Sequence, residues 1–139
     1  MATYNKFQCF VGDLGDKVHD LDADDIKVYL TNAAPSAADD SVKADLAEIS
    51  AEHGYSAGGE DVTAVWSETG GVGTLSGTDV TITAAGGTIG PFRYTVIYND
   101  TPTAPADPLI AWWDYGSSIT PADGENFKVD FGASILTIS

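Results

Sequence analysis

The sequence contains very little cysteine and histidine. Cys9 is the only cysteine, and the two histidines are His19 and His53. A single cysteine cannot form an internal disulfide or a cysteine-based zinc site. Because Cys9 lies in an apolar run with Phe7 and Phe10, we predict a buried thiol without a catalytic role. The sequence therefore excludes a fold that is stabilised by disulfides.

The motifs of several enzyme classes are missing as well. The chain has neither a Gly-x-Ser-x-Gly elbow nor a Gly-x-x-x-x-Gly-Lys-Ser/Thr phosphate loop. The run DLDADD at 20–25 has the first three ligand spacings of a calcium loop, but Asp25 replaces the required glycine and Thr31 the final glutamate. We predict a solvated turn there. We therefore expect a protein that is not an enzyme, with no catalytic residue, cofactor or metal.

Long apolar runs and basic residues are scarce. No run approaches the roughly 20 residues of a membrane span, and no basic segment precedes an apolar one as in a Sec signal. Acidic residues number 21 against 6 basic ones, a net charge of −15. Such a field repels nucleic acid and anionic lipid, so we predict neither as a partner. Two readings of the charge stay open: simple solubility, or an acidic face for cations or a basic partner.

What the chain does contain favours a β-rich fold. Its 139 residues are 43% hydrophobic and 10% aromatic, enough for a single domain over 1–139 with its own core. Fifteen glycines and many threonines, valines and isoleucines are typical of strands joined by tight turns. We predict a mainly β fold, a β-sandwich or barrel-like arrangement of antiparallel sheets.

The segment 86–116 predicts the central element, a long β-hairpin. Phe92–Asn99 alternates in the period-two pattern of a half-buried strand, 109–115 is a second strand, and the proline-rich stretch 100–108 joins them. We expect Arg93 opposite Asp114, because a slip of one residue would separate the two charges. This register also pairs Ile97 with Ile110, Tyr94 with Trp113, and Val96 with Ala111.

The N-terminal segment predicts an amphipathic helix over 5–21 that lies across one sheet. Apolar residues recur there at steps of three and four: Phe7, Phe10, Val11, Leu14, Val18 and Leu21. The spacing in 41–53 also allows one short second helix. Further strands are expected at 26–31, 62–67 and 78–84, and 126–131 is expected to pair with 135–139 around Gly132.

Trp112 and Trp113 have two possible roles. Adjacent strand residues point to opposite faces, so only one of the two can face the core on the hairpin's inner side. The other is either covered by the N-terminal helix or exposed. If exposed, it could form a sugar-binding platform with Asp114 and Tyr115. Both alternatives remain open at the level of the sequence.

Five strings resemble a family of small structural proteins of tailed bacteriophages. They are MATYNKFQCFVGDLGDKVHDL, DIKVYLTNAAP, VKADLAEISAEHGYSAGG, GGTIGPFRYTVIYND and DPLIAWWDYGSSIT. Together they cover most of the chain; residues 86–98 and 110–118 are the specific part, and 60–85 is least distinctive.

The resemblance implies a capsid decoration, or cement, protein. Such a protein is made in the host cytoplasm, attaches to the outside of the major capsid shell and is commonly a trimer, so the implied partners are the major capsid protein and further copies of this chain. A tail-associated receptor- or glycan-binding module is the alternative. The family brings no catalytic residues. The residues that we expect at interaction surfaces are Tyr4, Lys6, Arg93, Trp112, Trp113, Asp114 and Tyr115, and the capsid-facing candidates are 2–6 and 100–108.

Overall fold

The protein is mainly β, as the sequence predicted. The structure, a computed structural model, describes residues 2–139, and within that range it contains three antiparallel sheets and one short α-helix. The strands are β1 (Thr3–Lys6), β2 (Ile26–Thr31), β3 (Glu60–Asp61), β4 (Val65–Thr69), β5 (Val72–Ser76), β6 (Val80–Thr83), β7 (Phe92–Asn99), β8 (Leu109–Ile119), β9 (Asn126–Val129) and β10 (Leu136–Ile138), and the helix is α1 (Cys9–Gly15).

The sheets form a sandwich-like arrangement. The main sheet has the strand order β1-β8-β7-β2-β3, a three-stranded sheet has the order β10-β5-β4, and β6 pairs with β9. Side chains from all three sheets share one large apolar cluster, to which β7 contributes Ile97, β5 Leu75 and β6 Ile82. One face of the main sheet is therefore covered by the two smaller sheets.

The opposite face of the main sheet is buried too, although no sheet covers it. Tyr94, Val96 and Tyr98 of β7 belong to a second apolar cluster, which Leu46 and Phe7 complete. The segment 32–49 therefore crosses this face as an irregular cover. Backbone hydrogen bonds fix it to its surroundings, among them Ile49 N to Leu30 O at 3.1 Å.

Glu48 anchors this covering segment. Its Oε1 accepts a hydrogen bond from Lys43 Nζ at 2.8 Å, and its Oε2 accepts from Gly58 N at 2.8 Å and from the Tyr55 hydroxyl. The Tyr55 oxygen in turn accepts from Leu30 N of β2 at 3.1 Å. Burial raises the pKa of Tyr55, so the phenol stays protonated and can donate to the carboxylate. One partly buried carboxylate thus joins the segment to the sheet.

The central hairpin is confirmed, but its predicted register is wrong by one residue over most of its length. Ile97 lies opposite Ala111 rather than Ile110, and Tyr98 lies opposite Leu109, with an irregularity between the two pairs. Ile110 is the extra residue of this bulge. Consequently Ile110 and Ala111 both contact the larger cluster, and Tyr94 faces Asp114 instead of Trp113.

The predicted contact between Arg93 and Asp114 nevertheless forms. Arg93 Nε donates to Asp114 Oδ1 at 2.8 Å and Nη2 to Oδ2 at 3.1 Å. A second irregularity in the ladder, between Phe92 and Tyr94, leaves Arg93 without a directly opposite partner. The long guanidinium side chain reaches the carboxylate diagonally. The predicted ion pair is therefore confirmed, although the strand register from which it was predicted is wrong.

The predicted helix over 5–21 is wrong in its length. Residues 3–6 form β1, which pairs with β8, and the helix covers only Cys9–Gly15. It ends because Lys17 has a left-handed φ of 65°, which an α-helix cannot contain. Phe7 and Phe10 are buried, in the second and the larger cluster respectively. Val11, predicted on the same apolar stripe, is 57% exposed.

Two further expectations also differ from the structure. The segment 41–53 contains only a 3₁₀ turn, Lys43–Asp45, in place of a second helix. The last two strands do not pair with each other: β9 pairs with β6, and β10 pairs with β5 through Leu136 opposite Leu75. Buried and exposed side chains alternate along each strand as predicted. The partner of each strand, however, depends on packing between distant segments, and the local hydrophobic pattern does not encode it.

We predict that Glu48→Gln lowers the free energy of unfolding by about 2 kcal/mol, because the neutral amide leaves Lys43 without an ion pair and weakens the three charge-assisted hydrogen bonds that Glu48 accepts. Urea denaturation followed by tryptophan fluorescence measures the change. Glu52→Gln is the matched control, since Glu52 is exposed and should change stability by less than about 0.5 kcal/mol. Equal midpoints for the two variants would contradict the anchoring role.

Candidate functional site

The structure does not gather the seven predicted interaction residues into one site. Trp112 and Trp113 point to opposite faces of the main sheet and are only 8% and 9% exposed. Trp112 packs against Phe7, with ring centroids 4.5 Å apart, and Trp113 contacts Tyr4 at 5.3 Å. Trp112 and Trp113 therefore do not form an exposed platform, because both faces of the main sheet are covered there.

The neighbouring predicted residues also make structural contacts. Tyr115 is half-buried against Phe127, with centroids 5.4 Å apart, and burial raises the pKa of its phenol. The hydrogen bonds from Arg93 lower the pKa of the Asp114 carboxyl. These side chains stabilise the end of the hairpin, and Tyr115 also lines a cavity of about 390 Å³ with Trp113 and Phe131.

Tyr4 and Lys6 do share a site, a groove at the open side of the sandwich. It lies between β1, one edge of the main sheet, and β10, one edge of the three-stranded sheet, and its volume is about 730 Å³. We call it the N-terminal groove. Its lining comprises Tyr4, Lys6, Phe10, Val11, Leu14 and residues 134–139.

The groove exists because two edge strands of different sheets meet there without pairing. Tyr4 and Lys6 alternate onto the same face of β1, the face that carries Trp113 of the neighbouring strand. Helix α1 forms the floor with Phe10 and Leu14. Tyr4 is 39% exposed, and partial burial raises the pKa of its phenol. The surface is thus apolar, with a neutral phenol at one side.

Lys6 is unusual among the six cations of this acidic chain. Four of them are paired with carboxylates: Lys27 with Asp100, Lys43 with Glu48, Arg93 with Asp114 and Lys128 with Asp79. Within residues 2–139, Lys6 and Lys17 make no ion pair. Lys6 is also the one basic or acidic side chain that lines the N-terminal groove. Lys6 therefore gives the groove a positive side chain on a molecule whose net charge is −15.

A second cavity continues the groove past Leu14 and Ile138. Trp66 and Lys17 line it, and so do three aspartates of the 20–25 turn: Asp20, Asp22 and Asp24. This turn is closed by its own hydrogen bonds, as the sequence predicted for a solvated turn. Asp20 Oδ1 accepts from Asp22 N at 3.2 Å, and Asp24 Oδ2 accepts from Asp20 N at 2.9 Å. The two ends of the combined groove thus differ in charge.

His19 is buried beside this turn in a fixed tautomer. Asn99 Nδ2 donates to Asp24 Oδ2 at 2.7 Å and to His19 Nδ1 at 3.1 Å. Because Nδ1 accepts, the proton of the neutral ring must sit on Nε2. Burial lowers the pKa of His19, against the opposing influence of Asp13 and Asp24. The histidine therefore belongs to the polar support of the turn.

The structure also describes the cysteine, the potential metal ligands and the helices of the chain. Cys9 is half-buried, and burial raises its pKa to about 11, which suppresses the thiolate. In the described part of the chain, no cluster of three histidine, cysteine, aspartate or glutamate side chains is arranged to hold a metal. None of the helices in residues 2–139 has the length and apolar character required to cross a membrane.

Comparison of the chain with protein-family models, curated proteins and solved structures gave no match.

Sequence reasoning missed two parts of the groove. Val11 was assigned to the buried stripe of a long helix, but in the short helix it is exposed at the groove. The contribution of β10 was missed because its partner strand was predicted wrongly. The exposure of Val11 carries no local signal, since helical periodicity indicates an apolar face and does not indicate what covers it.

We predict that the stability of the protein falls as the pH drops from 7 to 5. The folded-state pKa of His19 lies below its ordinary value of about 6.5. The unfolded chain therefore binds this proton first, and stability is lost as the pH falls below about 6.5. His19→Gln keeps an acceptor for Asn99 and should flatten the slope in this range. Thermal unfolding at several pH values tests this, and an equal slope in both proteins would refute it.

Proposed function

We propose that this chain is a structural protein of a tailed-phage virion that attaches to the outside of the major capsid shell as a decoration protein and stabilises the head. The observation that carries the proposal is the N-terminal groove, an apolar recess with an unpaired lysine on a strongly acidic domain. The resemblance of most of the chain to small phage structural proteins supports the proposal independently.

The groove has the composition of an attachment surface for protein. The exposed large apolar side chains of residues 2–139 are Tyr4, Val11, Val65 and Val72, and the first two of these lie in the groove. The centres of protein interfaces are depleted in charge and enriched in tyrosine. Nucleic acid and anionic lipid are disfavoured as partners by the net charge of −15. A polypeptide surface is the partner that fits both properties.

The acidic remainder of the surface suits an assembly component. A large net charge keeps a protein soluble at high concentration, and like charges repel copies that approach by other faces. The exposed Asp39 would then face outward from the virion, whereas the acidic turn 20–25, which lines the continuation of the groove, would lie at the attachment surface. This assignment gives the charge a physical role in keeping neighbouring particles apart.

Several copies acting together would strengthen attachment. A stable interface requires roughly 800 Å² on each partner, and the whole domain exposes 6826 Å². A homo-oligomer, proposed here to be a trimer, raises the effective concentration of the second and third contacts. Attachment of the oligomer can therefore be firm even if each contact is weak.

The tail-associated alternative has no comparable support. It required an exposed tryptophan at position 112 or 113, and both side chains are buried. Of the two aromatic side chains that line the groove, Phe10 is buried and only Tyr4 is exposed, so the groove does not offer the flat stacking surface that sugar rings need.

We predict that the purified protein binds to shells of a phage that encodes it, assembled without this chain, and that cryo-electron microscopy places it outside the head. Val11→Ser should weaken binding about tenfold, because burying a valine contributes about 1.5 kcal/mol. Val65→Ser is the matched control: Val65 is 58% exposed, against 57% for Val11, and lies outside the groove. Density for the chain in the tail, or no binding to shells, would refute the proposed function.

A further inference from the structure

We propose that the N-terminal groove takes up an extended segment of the partner polypeptide, which adds to the free edge of β1 and places a carboxylate beside Lys6. The inference deepens the proposed function, on which the identity of the partner as a shell protein rests. Its physical basis is the backbone of β1, the apolar floor of the groove and the charge at its two ends.

The backbone of β1 offers unpaired groups on its outer side. Phe7 N donates to Ile110 O at 3.1 Å, which marks a hydrogen-bonded pair at the end of the β1–β8 ladder. In an antiparallel ladder such pairs alternate with pairs whose backbone groups point away. Thr3 and Asn5 therefore face β8, and the N–H and C=O groups of Tyr4 and Lys6 face the open edge. A partner strand can hydrogen-bond to them.

The floor of the groove provides the apolar contact that such a strand needs. Phe10, Val11 and Leu14 of α1 lie between β1 and the residues of β10. Successive side chains of an added strand point alternately to opposite sides. Every second side chain of the partner would thus cover this floor, while the others face solvent. The added strand would thus close the open side of the sandwich between β1 and β10.

The charges define the direction of the segment. Lys6 lines the part of the groove near β1, and Asp22 lines the continuation near Trp66. Asp22 is exposed, and its carboxylate accepts no hydrogen bond from another side chain within the described residues. We therefore assign an acidic residue of the partner to the Lys6 end and a basic residue to the Asp22 end. The attraction of opposite charges at the two ends favours this alignment, and the repulsion of like charges disfavours the reverse.

Two peptides of identical composition test the assignment. The first is acetyl-Glu-Thr-Val-Thr-Val-Thr-Lys-amide and the second has the reversed sequence. They are titrated into ¹⁵N-labelled full-length protein to millimolar concentration. We expect one of the two to bind at least threefold more tightly, to shift the amides of β1 and of the groove, and to show contacts between its backbone and Tyr4 or Lys6. Equal binding of both peptides, shifts centred on β4, or no shifts would overturn the proposal.

A charge change in the protein provides the second test. Lys6→Glu should weaken the preferred peptide about fivefold, which corresponds to the upper range of a cross-strand charge pair. Lys128→Glu is the control for net charge, because it makes the same charge change at an exposed lysine outside the groove, one that pairs with Asp79, and it should have little effect on peptide binding. Equal weakening by both variants would show a general response to net charge and overturn the proposal. If the amide shifts in the groove increase with protein concentration in the absence of peptide, a second copy of the chain occupies the groove. That result would also overturn the proposal.

The shell-binding experiment separates this inference from the proposed function. If Lys6→Glu and Val11→Ser still bind shells like the unmodified protein, the groove is not the attachment site and the inference fails, while the proposed function stands. If the peptide binds in the groove but the protein does not bind shells, the strand-addition inference stands and the proposed function fails.

Discussion

The structure depends on the need to cover both faces of one strand. β7 directs Ile97 to one side of the main sheet and Val96 and Tyr98 to the other, and all three are buried. A single packed layer can satisfy only one of these faces. The chain solves this by placing two small sheets on one side and the irregular segment 32–49 on the other. Most of the aromatic side chains lie in the two apolar clusters that result, one on each face of the main sheet.

An irregular cover requires polar anchors, because it lacks the ladder of a sheet. Glu48 supplies the main one, joining Lys43, Tyr55 and Gly58, and the Tyr98 hydroxyl adds another by donating to Gly58 O at 2.6 Å. Buried polar groups are tolerated when each finds a partner. The consequence for function is that neither face of the main sheet is free to bind a ligand, which leaves the strand edges and the groove between them.

The charge distribution complements this geometry. Most cations are neutralised within the fold, so the acidic excess is spread over loops and turns and the surface is repulsive to copies and to anions. Lys6 interrupts that pattern at an edge strand, where a charged side chain also discourages unwanted edge-to-edge pairing. The same lysine can thus exclude unsuitable strands and accept one that brings a carboxylate.

The sequence by itself determined the β class, the exact span of β2 and β7, the hairpin and the ion pair between Arg93 and Asp114, because alternation and charge are local signals. It did not determine the bulge at Ile110, the edge strand that contains residues 5 and 6 in place of the predicted helix, or the partners of β9 and β10. Those features depend on contacts between segments far apart in the chain, and packing outweighs the local preference, which is worth only about 1 kcal/mol per residue or less. The groove has the same origin, because only the tertiary structure brings β10 beside β1 and α1, which are far from it in the chain.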